Sequence, residues 1–254
     1  MMRARKSLPW IPGILTAAGA LACFGMSNNT VVLSGAAPAP SGSSAARPVL
    51  PAEPGRYWLE RFDGANLAWV APIGGSGGKV SKVFSVQRED GVTFLHGRHD
   101  GRPDADKVGF VHYGKRFDPQ GPPLERVRSL RWKWRVRQHP ANTTNMWEDV
   151  AASVYVIVKP PSVLGGGKGF RFGWLGGPGV KGTYRMGLGR VSLREDPATM
   201  EWKSEAVDVC ALYREWFGPC EGERLNYVGV ATEADGTDSV SEADYTDFEL
   251  IVEQ

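Results

Sequence analysis

An acid-rich segment near the C-terminus is the first place where residue types and their spacing can carry chemistry. It reads VATEADGTDSVSEADYTDFEL from Val230 to Leu250 and holds seven carboxylates around one glycine, Gly236. When Gly236 takes the sixth position of an EF-hand loop, the first position falls on Ala231, which has no side-chain oxygen to bind calcium. The segment is therefore not an EF-hand, and a polar turn at Asp235 and Gly236 before a last strand is the favoured interpretation.

Two shorter motifs resemble catalytic or metal sites. Residues 74–78 (GGSGG) fit the G-x-S-x-G pattern, in which Ser76 would be a nucleophile between a strand and a helix. The alternating stretch KVSKVFSV follows instead of a helical pattern, so we expect a flexible glycine loop. In HGRHDGRPDAD, His96 and His99 would face opposite sides of a strand because their separation is odd. A charged hairpin tip is therefore favoured there over a metal site.

Acids and aromatic rings outside the regular alternation supply candidate ligand contacts. Glu148 and Asp149 point opposite ways on a strand, but either can pair with an acid of the C-terminal turn if the two segments are adjacent. Three aromatic residues lie in or beside loops, where exposed rings can stack on sugars, although ordinary packing is favoured for each of them. No residue is assigned a catalytic role. The predicted ligand-binding residues are Trp147, Asp149, Trp174, Tyr184 and Asp235.

Alternation of period two, from Tyr57 onward, predicts the elements that must position these residues. In LRWKWRVR (130–137) the apolar residues point one way and a basic row the other, as in an antiparallel strand with one buried face. A solvated face is favoured for the basic row over a binding face for an acidic glycan. VAASVYVIV (150–158) is apolar on both faces and predicts a central strand. Further strands are predicted at 67–71, 82–87, 92–98, 108–113, 187–193, 200–206, 226–232 and 246–252.

One short helix is predicted in DVCALYREWFG. Its apolar residues follow the i, i+3, i+4, i+7 spacing from Val209 to Trp216, Asp208 can cap its start, and Gly218 can end it. Many short strands separated by Gly- and Pro-rich turns predict an all-β domain. We expect an antiparallel β-sandwich of jelly-roll type with one short helix.

The N-terminal residues have the composition of a bacterial export signal. Basic MMRARKS precedes an apolar run that ends at Ala22, so residues 1–22 are predicted to be the signal. Residues 23–55, rich in Pro, Ala, Ser and Gly, are expected to form a disordered tether, and 56–254 the sandwich domain. Lipidation of Cys23, simple cleavage before it and an uncleaved anchor stay open. We expect an exported protein, periplasmic or membrane-anchored at the bacterial cell envelope.

Charge and cysteine usage narrow the class of partner. Setting aside Arg3, Arg5 and Lys6 of the signal lowers the formal charge from +2 by three, to −1. A near-neutral domain gives no electrostatic case for binding nucleic acid.

Cys210 and Cys220 are an even pair in an exported chain, which predicts a disulfide, with two free buried thiols as the alternative.

Three stretches together resemble a bacterial family of exported proteins of unknown function, the domain-of-unknown-function family 3047. They are SLRWKWRV followed by EDVAASVYVIV, then EWKSEAVDVCALYREWFG, and then GVATEADGTDSVSEADYTDFEL. The resemblance covers about residues 62–250 and departs from the family at Glu148 and Glu233, where the family tends to have Asp. It implies a jelly-roll sandwich like those of carbohydrate-binding modules, and it implies no established reaction.

These patterns favour a non-catalytic module that binds a carbohydrate or another ligand of the envelope. Carbohydrate-binding jelly rolls often hold a structural calcium ion at a sheet edge, and Asp63, Asp235 and Asp247 are its predicted ligands here. No other cofactor is expected. The expected partners are a polysaccharide or other envelope ligand and, through a lipid anchor, the inner or outer membrane. The alternatives are a glycan-acting hydrolase or lyase that uses paired carboxylates, and an envelope scaffold that binds another protein.

Overall fold

A computed structural model describes residues 55–63, 69, 77–106, 108–117, 121–141, 145–160, 166–178, 182–183 and 187–253. The predicted export signal, Cys23 and all of the predicted tether except its last residue lie outside these ranges. Within them, no helix combines the length and the apolar character needed to cross a bilayer.

The described residues form strands, two α-helices and one turn of 3-10 helix at Leu124–Arg126. In chain order the labelled elements are β1 (Gly55–Glu60), α1 (Gly77–Val83), β2 (Phe84–Glu89), β3 (Val92–Asp100), β4 (Tyr113–Arg116), β5 (Val127–Gln138), β6 (Ala152–Lys159), β7 (Lys168–Trp174), β8 (Gly182–Thr183), β9 (Leu188–Arg194), β10 (Thr199–Val207), α2 (Val209–Phe217), β11 (Tyr227–Ala231) and β12 (Val240–Val252).

The strands form two sheets of six strands each, and the prediction of an all-β sandwich of jelly-roll type is confirmed. In the first sheet the order is β10-β5-β12-β3-β2, and β1 also pairs with β12. In the second sheet the order is β4-β11-β6-β7-β9-β8. The pairs are antiparallel except for β7 and β9, which run parallel.

The core lies between the two sheets and is rich in aromatic rings. Trp132 and Trp134 of β5 point into it, as the alternation predicted, and are almost completely buried. The ring centroid of Trp132 lies 5.8 Å from that of Phe172, and the centroid of Trp134 lies 5.9 Å from that of Trp174. Because side chains alternate along a strand, this packing turns the residues between them to the two outer faces of the sandwich.

Helix α2 and its disulfide follow the prediction. The Asp208 carboxylate accepts a hydrogen bond from the backbone N–H of Ala211 at 2.8 Å, which caps the first turn. Gly218 ends the helix with a φ of 93°, a conformation that favours glycine. Cys210 and Cys220 form a disulfide with their Cα atoms 5.7 Å apart, so α2 is covalently tied to the turn that follows it.

Several boundaries differ from the prediction. Helix α1 occupies part of the segment predicted as a glycine loop and strand, because Val80 and Val83 bury one face of a short helix. Strand β7 was not predicted, since its Gly- and Pro-rich flanks concealed the alternation in GFRFGW. Residues 108–112 form no strand, and β12 begins at Val240, six residues earlier than expected. Ser76 and most of the predicted strand at 67–71 lie outside the described residues.

Candidate functional site

The outer face of the second sheet carries a group of side chains separate from the main core. Strand β6 alternates, so Val154 points into the sandwich while Tyr155 packs on the outer face near Tyr227 of β11. Tyr155 lies opposite Arg171 of β7 in the antiparallel register. Directly opposed residues share one face of a sheet, so the register brings the tyrosine ring and the guanidinium together.

Glu233 completes a buried ionic contact with Arg171. Its backbone N–H donates to the carbonyl oxygen of Val150 at 3.1 Å, which holds the segment after β11 beside the start of β6. Its carboxylate contacts the Arg171 guanidinium and accepts a hydrogen bond from the Tyr155 hydroxyl at 3.4 Å. Arg171 Nε donates to Ser153 Oγ at 3.1 Å. Glu233 is 4% exposed and Arg171 8%, so the pair is largely shielded from water.

This environment shifts the titration of Glu233. Burial raises the pKa of its carboxyl to about 7, and the negative charges of Asp149 and Asp235 add to the rise. The positive charge of Arg171 and the hydrogen bond from Tyr155 act in the opposite direction and lower the pKa. The result is a carboxyl group that exchanges a proton near neutral pH. It can therefore accept a hydrogen bond from a ligand hydroxyl or donate one to it.

The segment before β4 adds two aromatic rings to this group. The His112 ring centroid lies 4.0 Å from that of Tyr155, and the Phe110 centroid lies 4.2 Å from that of His112. Burial and the nearby charge of Arg171 lower the pKa of His112 to about 3, so this imidazole is neutral near pH 7. Phe110 is 47% exposed. The rings thus form an apolar edge beside the buried ion pair, with Phe110 open to solvent.

Glycines let two further rings lie close against the sheet. A Cβ atom at Gly229 would lie 2.0 Å from the Tyr227 hydroxyl oxygen, and one at Gly114 on the neighbouring strand would lie 2.5 Å from the same atom. A Cβ atom at Gly173 would lie 2.9 Å from the Trp147 ring. Any larger residue at these positions must displace a ring, so the absence of a side chain shapes this face.

Three buried polar atoms of this face have no hydrogen-bond partner among the described residues. They are the Tyr227 hydroxyl oxygen, His112 Nδ1 and Trp147 Nε1. Leaving such an atom unsatisfied costs about 1–3 kcal/mol. All three atoms belong to side chains of this face, so buried polar groups without a described partner are concentrated here.

Asp149 lies beside the acid-rich turn, which is the adjacency that the paired-carboxylate hypothesis required. Its carboxylate accepts hydrogen bonds from the Gly236 N–H at 3.1 Å and from the Thr237 hydroxyl at 2.6 Å. Asp149 is 2% exposed, whereas Asp235 is exposed in the same turn. The contacts of Asp149 hold the turn in place. They also bring Asp149 and Asp235 close enough to Glu233 to affect its pKa.

Trp147 and Trp174 are not exposed rings, and the ordinary packing that the sequence favoured for them is what the structure shows. Trp147 is 2% exposed because its ring packs over Gly173, with the guanidinium carbon of Arg171 5.4 Å from its centroid. Trp174 is fully buried because β7, which was not predicted, turns it into the core. Neither ring is available for stacking on a ligand. Tyr184 lies outside the described residues.

Asp63, Asp235 and Asp247 do not form the predicted three-ligand group. The Lys133 ammonium lies 2.9 Å from the Asp247 carboxylate, and Arg61 Nε lies 3.8 Å from Asp247 and 3.9 Å from Asp63. Asp235 precedes β12 and is separated from Asp247 by about 20 Å of extended strand. Among the described residues, no group of three or more His, Cys, Asp or Glu side chains is placed to hold a metal ion. Calcium binding stays a prediction.

A second group of charged side chains lies on the outer face of the first sheet. The basic row of β5 points outward as predicted, but Arg135 is only 5% exposed. Asp244 of β12 is fully buried and accepts hydrogen bonds from Arg135 Nε at 2.6 Å and Arg137 Nε at 2.7 Å. Its other oxygen lies 2.7 Å from His96 Nδ1. Glu89 contacts both guanidiniums, and its hydrogen bonds to Arg135 and then Arg137 lower its pKa.

The two histidines of HGRHDGRPDAD lie on opposite faces, as their odd separation predicted. His99 points inward and is 1% exposed. Its Nε2 donates to the carbonyl oxygen of Val108 at 2.5 Å, and its Nδ1 accepts from the backbone N–H of Ala234 at 3.2 Å. With both nitrogens bonded to the backbone, His99 joins segments of the fold and does not converge with His96.

The sequence interpretation did not select Phe110, Tyr155, Arg171 or His112 for the site. A signal was present for Arg171, since Phe170, Phe172 and Trp174 alternate around it in GFRFGW and direct it to the opposite face. For Phe110 there was none, because GFVHY has the composition of an ordinary strand. Only the folded structure shows that these residues meet: Tyr155 and Arg171 pair between β6 and β7, and the rings of the segment before β4 pack on Tyr155.

Comparisons with known proteins place the chain in no family. No family model matches it and no curated protein matches it, so the resemblance to domain-of-unknown-function family 3047 is not confirmed. Among solved structures, the chain is similar to the family 11 carbohydrate-binding module of a cellulosomal cellulase of Clostridium thermocellum. The identity is 10% and the TM-score 0.40, over 79% of this chain and 96% of that one.

Two glycanases show similar values. The xyloglucanase domain of a type three effector from Sinorhizobium fredii, in complex with cellobiose, is 11% identical with a TM-score of 0.39, over 79% of this chain and 98% of that one. Endoglucanase 3 of Trichoderma harzianum, from family GH12, is 12% identical with a TM-score of 0.39. The similarity covers 80% of this chain and 99% of that one. At these TM-scores the similarities support no conclusion about a ligand or a reaction. Any proposal about function must therefore be based on the geometry of the site.

Proposed function

We propose that this protein binds a carbohydrate on the outer face of its second sheet, at the site formed by Phe110, His112, Tyr155, Arg171 and Glu233. The observation that carries the proposal is a half-exposed aromatic ring beside a buried ion pair and several unpartnered polar atoms. An apolar ring next to convergent polar groups matches the two surfaces of a sugar, whose C–H face stacks on rings and whose hydroxyls form hydrogen bonds.

Each part of the site has a role in this proposal. Phe110 is the accessible ring and supplies the stacking surface. Glu233 and Arg171 supply an acceptor and a donor in a shielded environment, where hydrogen bonds to charged groups are worth more than in water. Asp235, exposed near Glu233, is the polar rim.

Binding to a panel of soluble polysaccharides tests the proposal, by affinity electrophoresis and then by calorimetry. We expect Phe110→Ala to weaken binding about tenfold or more, because a stacked ring contributes about 0.5–1.5 kcal/mol beyond its buried area. Trp58→Ala is the matched control, since Trp58 is 44% exposed but lies in β1 of the first sheet. Equal losses in the two variants, or no binding of any glycan by the folded protein, would contradict the proposal.

A second candidate function, glycan hydrolysis, is favoured by one observation. Glu233 has a carboxyl pKa of about 7 and lies within electrostatic reach of Asp149, and a protonated acid beside a second carboxyl group is the arrangement that glycosidases use. The hydrogen bonds from Gly236 and Thr237 to Asp149 favour a structural role for this second carboxylate. Release of reducing ends from any glycan that binds separates the two functions. Hydrolysis requires turnover that Glu233→Gln abolishes while binding persists.

We also propose that the protein is exported and anchored through a lipid on Cys23. The composition of residues 1–22 supports export, and the Cys210–Cys220 disulfide fits an oxidising compartment. Metabolic labelling with a fatty-acid analogue should mark the wild-type protein and not Cys23→Ser, and the variant should be released from membranes. An unlabelled wild-type protein would overturn lipidation.

A further inference from the structure

We propose that the outer face of the first sheet carries a separate hydrolytic site for acyl esters, formed by Ser85, His96 and Asp244. This site lies on the opposite side of the sandwich from the carbohydrate site and does not depend on it. A nucleophile, a base and an orienting carboxylate in this order are the groups of a serine hydrolase, which are recognised by geometry and not by their positions in a sequence.

The register of three neighbouring strands brings the three residues together. Asp244 of β12 pairs with His96 of β3, and His96 pairs with Ser85 of β2. Side chains at directly paired positions share one face, and their Cβ atoms lie about 4.5–5.5 Å apart. The three side chains therefore form one row across the sheet. Ser85 is the exposed member and Asp244 the fully buried one.

The contact between Asp244 and His96 orients the imidazole for this chemistry. Nδ1 of His96 lies 2.7 Å from the Asp244 carboxylate, so the proton of the neutral ring belongs on Nδ1 and the lone pair on Nε2. Nδ1 and Nε2 flank the Cε1 atom and direct their hydrogen bonds away from each other. With Nδ1 bonded to Asp244 of β12, Nε2 is left for a partner away from β12, and β2 with Ser85 is the neighbouring strand on the other side of β3.

Arg135 and Arg137 fix the carboxylate that holds the histidine. Both donate to the second oxygen of Asp244, which leaves the first oxygen to His96. Arg135 is itself held between two rings, with its guanidinium carbon 4.6 Å from the Trp202 centroid and 5.1 Å from the Phe94 centroid. The base is thus supported by side chains with little freedom, as an oriented catalytic group requires.

Gln87 supplies a donor next to the nucleophile. Its Nε2 lies 3.3 Å from Ser85 Oγ, because residues two apart on a strand share a face. Rotation about the Cα–Cβ bond of Ser85 turns Oγ from Gln87 toward His96. The Gln87 amide can then donate a hydrogen bond to the oxygen that becomes negative when an ester carbonyl near Ser85 is attacked.

The reaction balances with water as the second reactant. Ser85 Oγ bonds to the ester carbonyl carbon and gives its proton to His96 Nε2, and the carbonyl electrons move to oxygen. When the carbonyl re-forms, the bond to the alcohol breaks and the alcohol takes the proton from His96. Water then attacks the acyl carbon and gives a proton to His96. The bond between the acyl carbon and Ser85 Oγ then breaks, Oγ takes the proton back from His96, and the free acid leaves.

A fluorophosphonate probe and p-nitrophenyl acetate test this site in the full-length protein. We expect the probe to label Ser85, as mapped by peptide mass spectrometry, and Ser85→Ala to lose both the label and the hydrolysis above background. His96→Gln should slow labelling and hydrolysis at least about 100-fold, because the general base is removed. Ser204→Ala is the matched control, since Ser204 is exposed on the same face but pairs with Lys133.

Three outcomes would overturn the proposal: a folded protein that the probe does not label, a label on a residue other than Ser85, or a His96→Gln variant that reacts as fast as the wild type. Ser85 is exposed in β2, so loss of the fold does not account for an inactive Ser85→Ala variant; unchanged tryptophan fluorescence checks this. Loss of activity in Ser204→Ala to the same extent would also count against the site.

Discussion

On the outer face of the first sheet, the buried charges of the Asp244 network are paired: Asp244 accepts from Arg135 and Arg137, and Glu89 contacts the same two guanidiniums. On the outer face of the second sheet, buried polar atoms of Tyr227 and other residues have no partner in the described chain, and glycines leave room for rings. The first arrangement fixes the position of a group such as a histidine. The second keeps hydrogen-bonding capacity that a ligand can use. Charge alone therefore does not distinguish the two faces, since both contain buried ion pairs.

Removal of Asp244 should give the largest effect, because it breaks the paired face at its centre. Asp244→Asn leaves two guanidiniums beside a neutral amide, and we expect the free energy of unfolding to fall by about 3–5 kcal/mol. Denaturant unfolding followed by tryptophan fluorescence measures the change. Asp238→Asn is the control, since Asp238 is exposed and Asn tolerates its φ of 49°. A loss below about 1 kcal/mol would show that the pairing does not stabilise the fold.

The second face should make stability depend on pH. Glu233 has its pKa raised to about 7, so the folded state binds a proton that the unfolded state releases near pH 4.5. The stability that this proton confers is complete below pH 4.5 and is lost as pH rises to 7, on the order of 3 kcal/mol. Unfolding measured from pH 4 to pH 8 should show this decline, and Glu233→Gln should reduce it.

Glu60 provides the matched comparison for that experiment. Burial raises its pKa to about 7 as well, and its carboxylate accepts hydrogen bonds from the backbone N–H groups of Arg61 and Phe62. Glu60→Gln keeps an oxygen that can accept from both backbone N–H groups, and it should remove a similar part of the fall in stability with rising pH. A variant that carries both Glu233→Gln and Glu60→Gln should lose most of the decline in stability between pH 4 and pH 8. If its stability falls as steeply as that of the wild type, these two carboxyl groups are not the source of the decline.

The glycine support of the second face should give an intermediate effect. A methyl group at Gly229 would meet the Tyr227 hydroxyl oxygen at 2.0 Å, so Gly229→Ala must move the ring. We expect a loss of about 1–3 kcal/mol in stability together with weaker glycan binding. Gly109→Ala, where a Cβ atom meets nothing within 4 Å, should change neither quantity. Equal stability of the two variants would show that close packing of Tyr227 is not required.

The smallest effect should come from an exposed ion pair on the first face. Lys133→Ala removes the 2.9 Å contact with Asp247, in which the two side chains are 46% and 26% exposed. We expect a change within about 0.5 kcal/mol, because solvent weakens such pairs. Comparing the stability loss of this variant with that of Asp244→Asn tests whether burial, and not ion pairing alone, makes the Asp244 network stabilising. A loss of several kcal/mol would remove that distinction.

Local sequence patterns predicted the elements whose regular spacing lies within one segment. They failed where burial or contact depends on a segment that is distant in sequence. The alternation in LRWKWRVR and the capped spacing of α2 are properties of single segments, so the sequence was sufficient for them. The burial of Trp147 depends on a loop folding over β7, and no pattern within that loop reports it. The contact between Arg171 and Glu233 joins residues 62 positions apart and depends on how the segment after β11 lies beside β6, so no local pattern predicts it.

The pairing of β1 with β12 has a consequence for the order in which the chain can fold. Gly55 pairs with Val252 and Tyr57 with Leu250, so the first described strand finds its place only when the last one is available. Contacts so distant in sequence close late, because a long loop must be ordered first. Because β12 also lies between β3 and β5, the first sheet cannot assemble until the C-terminal strand has been synthesised. The same pairing places Gly55 beside Val252, so a tag added after the last strand would lie next to the first described strand.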